Sequence, residues 1–228
     1  MVSTKFINDL QKKYGIKFHN SKLLEEAFTH SSYVNENPKK HLHNYEKLEF
    51  LGDAVLELAV SDYLYRHFRD LNEGELTRLR SNIVRTEGFS KFAIDCGFKD
   101  QINLGRGEEE SGGRNRKALL EDVFEAFNGA LFLDQGMPTV QRFLHLTVYP
   151  LIDQGYFTPS RDYKTDLQEL LQQNGSVKIE YNVLDESQLP SHFKVEVKVN
   201  GKSLAEGEGQ NKKKAEQQAA QHALKKLE

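Results

Sequence analysis

Two short segments place acidic residues at helical spacing within otherwise apolar sequence. The first is Glu46-Lys-Leu-Glu-Phe-Leu-Gly-Asp53, and the second is Asp122-Val-Phe-Glu125. At about 100° per residue, Glu46, Glu49 and Asp53 fall on one narrow helical face, and Asp122 and Glu125 share a face of another helix. The simplest alternative is that each acidic stripe is only the solvated face of an amphipathic helix.

Two features of these segments favour a metal-binding role for the acids over a simple solvated face. Like charges four residues apart, such as Glu49 and Asp53, repel each other by about 0.2–0.5 kcal/mol, and no basic residue lies at that spacing between them. The second helix is apolar almost all round, and burying a carboxylate without a partner costs several kcal/mol. A hard divalent cation such as Mg²⁺ would neutralise such a cluster. Gly52 and Gly129 within these helices predict close helix packing or room for a ligand.

The elements that carry these acids are helical. As far as position 149, apolar residues recur at spacings of three and four, and no sustained alternation appears, which predicts an all-α region. Its most hydrophobic predicted helices span Glu46–Phe68 and Arg116–Leu133. Between them, Leu104–Arg116 is rich in glycine and charge and is predicted to be a loop.

The period changes after a break that begins at Pro150. We assign residues 1–150 to one domain, 151–160 to a linker and 161–228 to a second domain. Alternation of apolar and polar residues then predicts strands, and Asn200-Gly201 is the favoured pair of a type I′ hairpin turn. The second domain is predicted to be α-β-β-β-α: a helix over 165–174, strands near 179–183, 193–199 and 203–208, and a helix over 212–227 with Ala215, Ala219, Ala223 and Leu227 on one face.

Composition excludes several classes of protein. The single cysteine, Cys96, excludes an intramolecular disulfide framework and a cysteine-based zinc site, and it suits a reducing cytosol. No apolar run approaches the roughly 20 residues that cross a bilayer, and the first residues lack a signal-peptide core. We therefore expect a cytoplasmic protein without membrane contact.

The net charge of the chain says little about its binding partner, but one local cluster of lysines is informative. The whole chain carries −3, and from Pro159 onward eleven Lys and Arg balance eleven Asp and Glu. Lys212, Lys213 and Lys214, however, begin the last predicted helix, where the positive end of the helix dipole disfavours cations. A solvated lysine run is the alternative; phosphate groups of a nucleic acid would reverse the penalty.

The first domain resembles the ribonuclease III family. Glu46-Lys-Leu-Glu-Phe-Leu-Gly-Asp-Ala-Val-Leu56 is similar to the family signature, and Asp122-Val-Phe-Glu-Ala126 to its second acidic box. Further matches are Thr29–Glu36, Glu75–Ser81 and the segment from Leu104 to Arg114. The resemblance implies the following site: Glu49, Asp53, Asp122 and Glu125 bind Mg²⁺, with Mn²⁺ as a possible substitute, Asp53 and Glu125 are catalytic, and Glu46 is a supporting acid near the scissile strand.

The same resemblance implies the reaction and the assembly. Family members hydrolyse both strands of double-stranded RNA as homodimers, leave 5′-phosphate and 3′-hydroxyl ends with short 3′ overhangs, and process ribosomal RNA precursors and other structured RNAs. No small-molecule cofactor is expected. The apolar face that contains Phe50 and Leu51 suits the dimer interface, although core packing explains it equally well. Departures from the family pattern are Lys47, Glu121 and Asn128, and none of them removes a metal ligand.

The Gly-rich segment allows two interpretations. A charged surface loop is the default, and the absence of a Gly-Lys-Ser/Thr ending disfavours a nucleotide phosphate loop. With the family resemblance, Arg114 and Arg116, just before the helix of Asp122, are candidates to hold RNA phosphates near the metal.

The tail resembles a double-stranded-RNA-binding domain. The matching segments are Asp162–Glu169, Pro190–His192 and Gly207–Glu216, although Leu189 replaces the usual Gly and Asn211 the usual Ser. Such domains recognise A-form shape across two minor grooves and the phosphates between them. The resemblance implies these RNA-binding residues: Thr165, Gln168, Glu169 and Gln172 at one groove, His192 at the other, and Lys212 and Lys213 at phosphates.

Two other functions would account for parts of this sequence. A binding-only protein with a degenerate nuclease domain would typically lose at least one of the four proposed ligands, and all four are present. A phosphohydrolase of small nucleotides would need no duplex-binding tail, and the chain lacks the His-Asp dipeptide of one such helical class. We therefore predict a double-strand-specific endoribonuclease.

Overall fold

The computed structural model describes residues 2–84, 86–157, 162–172, 175–188 and 191–227, with only the backbone described for residues 86, 186–188 and 191. The chain divides into two compact units, Met1–Thr158 and Pro159–Glu228. No helix in the described ranges combines the length and apolar character needed to cross a bilayer.

The described part of the first unit is built from helices, with an isolated β-bridge between Thr29 and Asn103, which confirms the predicted all-α fold class. Ten α-helices follow in chain order: α1 Thr4–Tyr14, α2 Ser21–Ala27, α3 Ser31–Glu36, α4 Glu46–His67, α5 Glu73–Ile83, α6 Thr86–Asp95, α7 Arg106–Glu110, α8 Lys117–Gln135, α9 Met137–Thr147 and α10 Tyr149–Asp153. Local signals set several of these limits. Ser3 caps α1 by accepting the N–H of Phe6, and Gly15 ends it at a positive φ of 67°.

Helix α8 is the centre of the first core. Phe124 and Phe127 on α8 pack against Phe98, with ring centroids 6.0 and 4.6 Å away, and against Phe143 of α9. Helices α4 and α8 cross at the two glycines that the sequence singled out. A Cβ on Gly52 would overlap the carbonyl of Glu125, and one on Gly129 would overlap the carbonyl of Leu48. The prediction of close helix packing at these positions is confirmed.

Two segments differ from their sequence assignments. The predicted loop 104–116 contains α7 and a short 3₁₀ helix over Gly113–Asn115, so it is largely folded. The residues assigned to the start of a linker belong to the first unit, because Ile152 and Phe157 are buried in its core. Apolar side chains shortly after Pro150 therefore continue the helical packing.

The second unit has the predicted α-β-β-β-α order: α11 Tyr163–Gln172, β1 Ile179–Gln188, β2 Ser191–Val199, β3 Lys202–Gly209 and α12 Lys212–Leu227. The strands form an antiparallel sheet in the order β1-β2-β3, with an irregularity between Val183 and Asp185. Asn200 and Gly201 both have positive φ, 50° and 79°, as a type I′ turn requires.

Helix α12 buries small side chains against the sheet. Of the four residues that the sequence places on one face, Ala215, Ala219 and Ala223 are buried, whereas Leu227 is 44% exposed. Leu224 is buried near this end of the helix instead. A spacing of four advances around the helix by about 40° beyond a full turn each time, which turns Leu227 away from the buried side. The first helix of the second unit was predicted to end at Asn174, and this residue lies outside the described residues.

Candidate active site and RNA-binding surface

The crossing of α4 and α8 brings the two acidic segments together. Glu49 is half-buried, and burial, followed by the charges of Asp122, Glu46, Glu121 and Asp53, raises its pKa to about 7. These are neighbours on both helices, so the acids of α4 lie close enough to those of α8 to repel them. The two segments form one acidic cluster, which we define as Glu46, Glu49, Asp53, Glu121, Asp122 and Glu125.

Glu125 shows the strongest effect in this acidic cluster. Burial first, and then the charges of Asp53, Glu121, Glu49 and Asp122, raise its pKa to about 8. Burial also raises the pKa of Asp122. Ionisation of Glu49 and Glu125 is therefore disfavoured by burial and by the neighbouring carboxylates, and a bound cation would offset this cost.

Tyr45 is a site residue that sequence reasoning missed. It is 3% exposed, and its hydroxyl donates to Asp122 Oδ2 at 3.2 Å. Burial, followed by the charge of Asp122, raises the pKa of the phenol, so Tyr45 stays a hydrogen-bond donor. Its position just before Glu46 was the only sequence feature that pointed to it. Its hydrogen bond, however, joins residues 77 positions apart, which no local pattern predicts.

The donor set suits a hard divalent cation. All six members of the acidic cluster offer carboxylate oxygens, the ligand that Mg²⁺ prefers. Within the described ranges, no three Asp, Glu, His or Cys side chains are already gathered into a metal cage. Mg²⁺ keeps several waters when it binds a protein, so it can engage carboxylates that are not gathered into a cage.

The two predicted phosphate-binding arginines occupy different environments. Arg114 donates to the carbonyls of Lys99 and Ile102 at 2.7 and 2.9 Å and pairs with Glu109. These bonds engage its guanidinium within the domain and favour a structural role over the predicted phosphate contact. Arg116 pairs with Glu108 but stays more than half exposed, immediately before α8. Arg116 is therefore the better candidate for a phosphate contact.

The second unit gathers predicted RNA-binding residues from two helices. Thr165 and Gln168 of α11 and Lys213 of α12 line one open groove of about 590 Å³. Lys164 helps to join the helices, because its ammonium pairs with Glu216 at 2.7 Å and lies 4.5 Å from the centre of the Tyr181 ring. The remaining predicted contacts on these helices are exposed: Glu169, Gln172 and Lys212.

The start of α12 is capped by the side chain of the residue that precedes it. Asn211 Oδ1 accepts the N–H of Lys214 at 2.9 Å, so Asn replaces Ser as the cap without loss of the hydrogen bond. His192 is half exposed, with Nε2 3.9 Å from Glu208 Oε2. Leu189 and Pro190 lie outside the described residues.

The first unit is a helical domain in which carboxylates of two helices converge. The second unit is a small α-β-β-β-α domain whose last helix has a basic start. Together these features define a nuclease that carries its own RNA-binding module. Comparison with known families agrees. Residues 20–151 match the family described as Ribonuclease-III-like, and residues 163–227 match the double-stranded RNA binding motif. The chain belongs to the ribonuclease III family and is a double-strand-specific endoribonuclease.

Similar proteins support this assignment along the whole chain. The chain is 74% identical over 228 residues, the full length of both, to Ribonuclease 3 of Lactobacillus acidophilus. It is 72% identical over 226 residues, 99% of each chain, to Ribonuclease 3 of Lactobacillus johnsonii. A solved structure of the ribonuclease III nuclease domain of Campylobacter jejuni, described as flexible in a region involved in dimer formation, is 36% identical. It covers 61% of this chain and 94% of that chain with a TM-score of 0.55.

Proposed function

We propose that the acidic cluster is the catalytic centre and that it binds Mg²⁺, the metal used by this family, or Mn²⁺ in its place. The proposed ligands are Glu49, Asp53, Asp122 and Glu125. The observation that supports this assignment is the raised pKa of Glu49 and of Glu125, to which the charges of neighbouring carboxylates contribute after burial. A bound divalent ion would activate a water for attack on a backbone phosphorus and stabilise charge on the leaving oxygen.

The chain itself positions the reacting groups. Asp53 on α4 and Glu125 on α8 are the catalytic acids, and they approach the metal site from opposite helices. Glu46 is a supporting acid near the scissile strand. Tyr45 orients the Asp122 carboxylate through its hydroxyl. Attack of water on phosphorus with the 3′-oxygen as the leaving group breaks the P–O3′ bond. The products are a 5′-phosphate and a 3′-hydroxyl.

The second unit and Arg116 supply the duplex contacts. Thr165, Gln168, Glu169 and Gln172 suit one minor groove, His192 the next, and Lys212 and Lys213 the intervening phosphates. Arg116 suits a phosphate beside the acidic cluster. These contacts select A-form shape and leave sequence selection weak.

Cutting both strands requires two centres, and one face of α4 suits the assembly that provides them. Phe50, Leu58 and Tyr65 on this helix are 83%, 62% and 76% exposed, so core packing does not explain them. We assign these three residues, which we call the α4 apolar face, to a homodimer interface. Two copies would then cut opposite strands and leave short 3′ overhangs. We assign this activity to the cytoplasm, with ribosomal RNA precursors and other structured RNAs as substrates.

A long perfect RNA duplex tests the catalytic assignment. Purified protein should convert it to short duplexes with 5′-phosphate ends in Mg²⁺ or Mn²⁺, and chelator should stop the reaction. Binding without cleavage in either metal would overturn the assignment of the acidic cluster.

Glu125→Gln tests the metal ligands separately from RNA binding. This change keeps the side-chain shape but removes a ligand charge, so we expect loss of cleavage with duplex affinity unchanged within about threefold, an amount below 1 kcal/mol. A gel-shift titration without metal measures the affinity. Glu57→Gln, on the exposed side of α4, is the control and should cleave normally; cleavage by Glu125→Gln at the wild-type rate would remove Glu125 from the site.

A further inference from the structure

The imidazole of His30, which precedes α3, is held in one orientation by its neighbours. Its Nδ1 accepts the backbone N–H of Ser32 at 3.2 Å and lies 2.8 Å from Ser32 Oγ. Ser32 Oγ in turn accepts the N–H of Gly105 at 2.9 Å, which leaves the hydroxyl proton available for Nδ1. An added Cβ on Gly105 would lie 2.8 Å from Ser32 O, so glycine is needed for this approach.

These bonds determine the tautomer of His30. A backbone N–H can only donate, so Nδ1 must present its lone pair, and the proton of the neutral ring must sit on Nε2. Nε2 makes no hydrogen bond to any described residue, although the ring is only half-buried. His30 therefore offers one N–H donor, at a fixed edge of the ring, without a hydrogen-bond partner in the described part of the chain.

The ring also borders the acidic cluster. It packs against the Tyr45 ring with centroids 5.7 Å apart, and the Tyr45 hydroxyl donates to Asp122. Burial, and then the charge of Arg116, lower the pKa of His30, while Asp122 and Glu46 oppose this shift. Charged groups of α4, of α8 and of the residue before α8 thus act on the ring.

We propose that His30 is a further catalytic residue, whose neutral imidazole donates Nε2–H to a nonbridging oxygen of the RNA phosphate at the acidic cluster. The proposal rests on the endonuclease function and on the assignment of that cluster. A neutral donor suits this place because it stabilises an anionic oxygen without adding a cation that competes for the carboxylates. His30 binds and orients and does not carry protons, because protonation of Nδ1 would break its bond to the Ser32 N–H.

Two variants of the full chain separate the donor from the ring. His30→Phe keeps an aromatic ring against Tyr45 but removes the donor, whereas His30→Gln retains an amide N–H. We expect His30→Phe to lower the single-turnover cleavage rate by on the order of 100-fold, as for loss of one transition-state donor, with duplex affinity without metal unchanged. His30→Gln should recover much of that rate. His43→Phe, at an exposed histidine, is the control and should cleave as the wild type does.

A measurement independent of activity tests the tautomer. Nitrogen NMR of histidine-labelled protein, with the His30 signals identified by their loss in His30→Gln, should show Nδ1 bare and Nε2 protonated. Adding uncleaved duplex without metal should shift the Nε2–H signal. A proton on Nδ1, an unshifted Nε2–H signal, or a wild-type cleavage rate in His30→Phe would each overturn the proposal. If the wild type itself fails to cleave, the catalytic assignment of the acidic cluster fails instead, and the NMR result still reports on His30. If His30→Phe does not fold, His30→Gln and the NMR data decide.

Discussion

Glu49 and Glu125 connect the stability of the protein to pH. Their pKa values are raised from 4.5 to about 7 and about 8, chiefly by burial and then by neighbouring carboxylates. The folded state therefore holds these protons more tightly than the unfolded state does. This contribution to stability is complete below the unfolded pKa and is lost as the pH rises through the folded values.

We predict that the melting temperature of the metal-free protein, measured by calorimetry in chelator, falls as the pH rises from about 4.5 to about 8. Glu125→Gln should flatten this fall, because an amide does not ionise, whereas Glu57→Gln should retain it. Mg²⁺ at the upper end of this range should restore stability by binding only the folded state. A slope identical in wild type and Glu125→Gln would contradict the raised pKa of Glu125.

The candidate site depends on the crossing of helices α4 and α8. We predict that Gly52→Ala destabilises the protein by roughly 1–3 kcal/mol, because its Cβ overlaps the Glu125 carbonyl and the helices must separate. Cleavage should fall as well, since separation moves Glu49 and Asp53 away from Asp122 and Glu125. Chemical denaturation and a cleavage assay measure the two effects.

Gly107→Ala is the matched control for the helix crossing. Gly107 lies in α7 with no atom near its would-be Cβ, so this change should alter stability by no more than about 0.5 kcal/mol. Equal effects of the two substitutions would show that the loss of glycine, and not the closeness of the helices, matters.

The start of α12 is the second element with a predicted role. Lys212→Ala combined with Lys213→Ala should weaken duplex binding similarly for different sequences and reduce its salt dependence by up to about two units of slope. Affinity measured over a range of salt concentrations checks this prediction. Lys202→Ala combined with Lys225→Ala removes the same charge at other exposed positions of the second unit and should leave the slope unchanged. An unaltered slope in the first pair would remove α12 from the RNA contacts.

Assembly is the property that belongs to the whole molecule. Phe50→Ala should weaken the proposed homodimer on the order of 30-fold or more, as loss of a central aromatic contact does. Because the side chain is 83% exposed in the single chain, the stability of the fold itself should change little. Sedimentation equilibrium measures the dissociation constant. Leu146→Ala, at an exposed leucine of α9, is the control, and an unchanged dimer in Phe50→Ala would place the interface elsewhere.

Much of this protein follows from local sequence pattern. The helical period, the change to alternation, the Asn200-Gly201 turn and the Asn211 cap each depend on residues within a few positions of one another. The helical class of the first domain and the α-β-β-β-α order of the second were therefore predictable, although α7 was not. So was the presence of the acids on shared helical faces, because spacing alone decides which side chains of one helix lie together.

Other properties depend on which distant elements meet, and only the tertiary structure decided them. The pKa values of Glu49 and Glu125 follow from burial and from charges across the α4–α8 crossing, and the Tyr45–Asp122 bond joins residues 77 positions apart. The tertiary structure likewise showed that Arg114 is engaged within its domain and that Phe50 is exposed. Burial, desolvation and charge coupling arise from packing between elements, and a pattern within one element does not contain them.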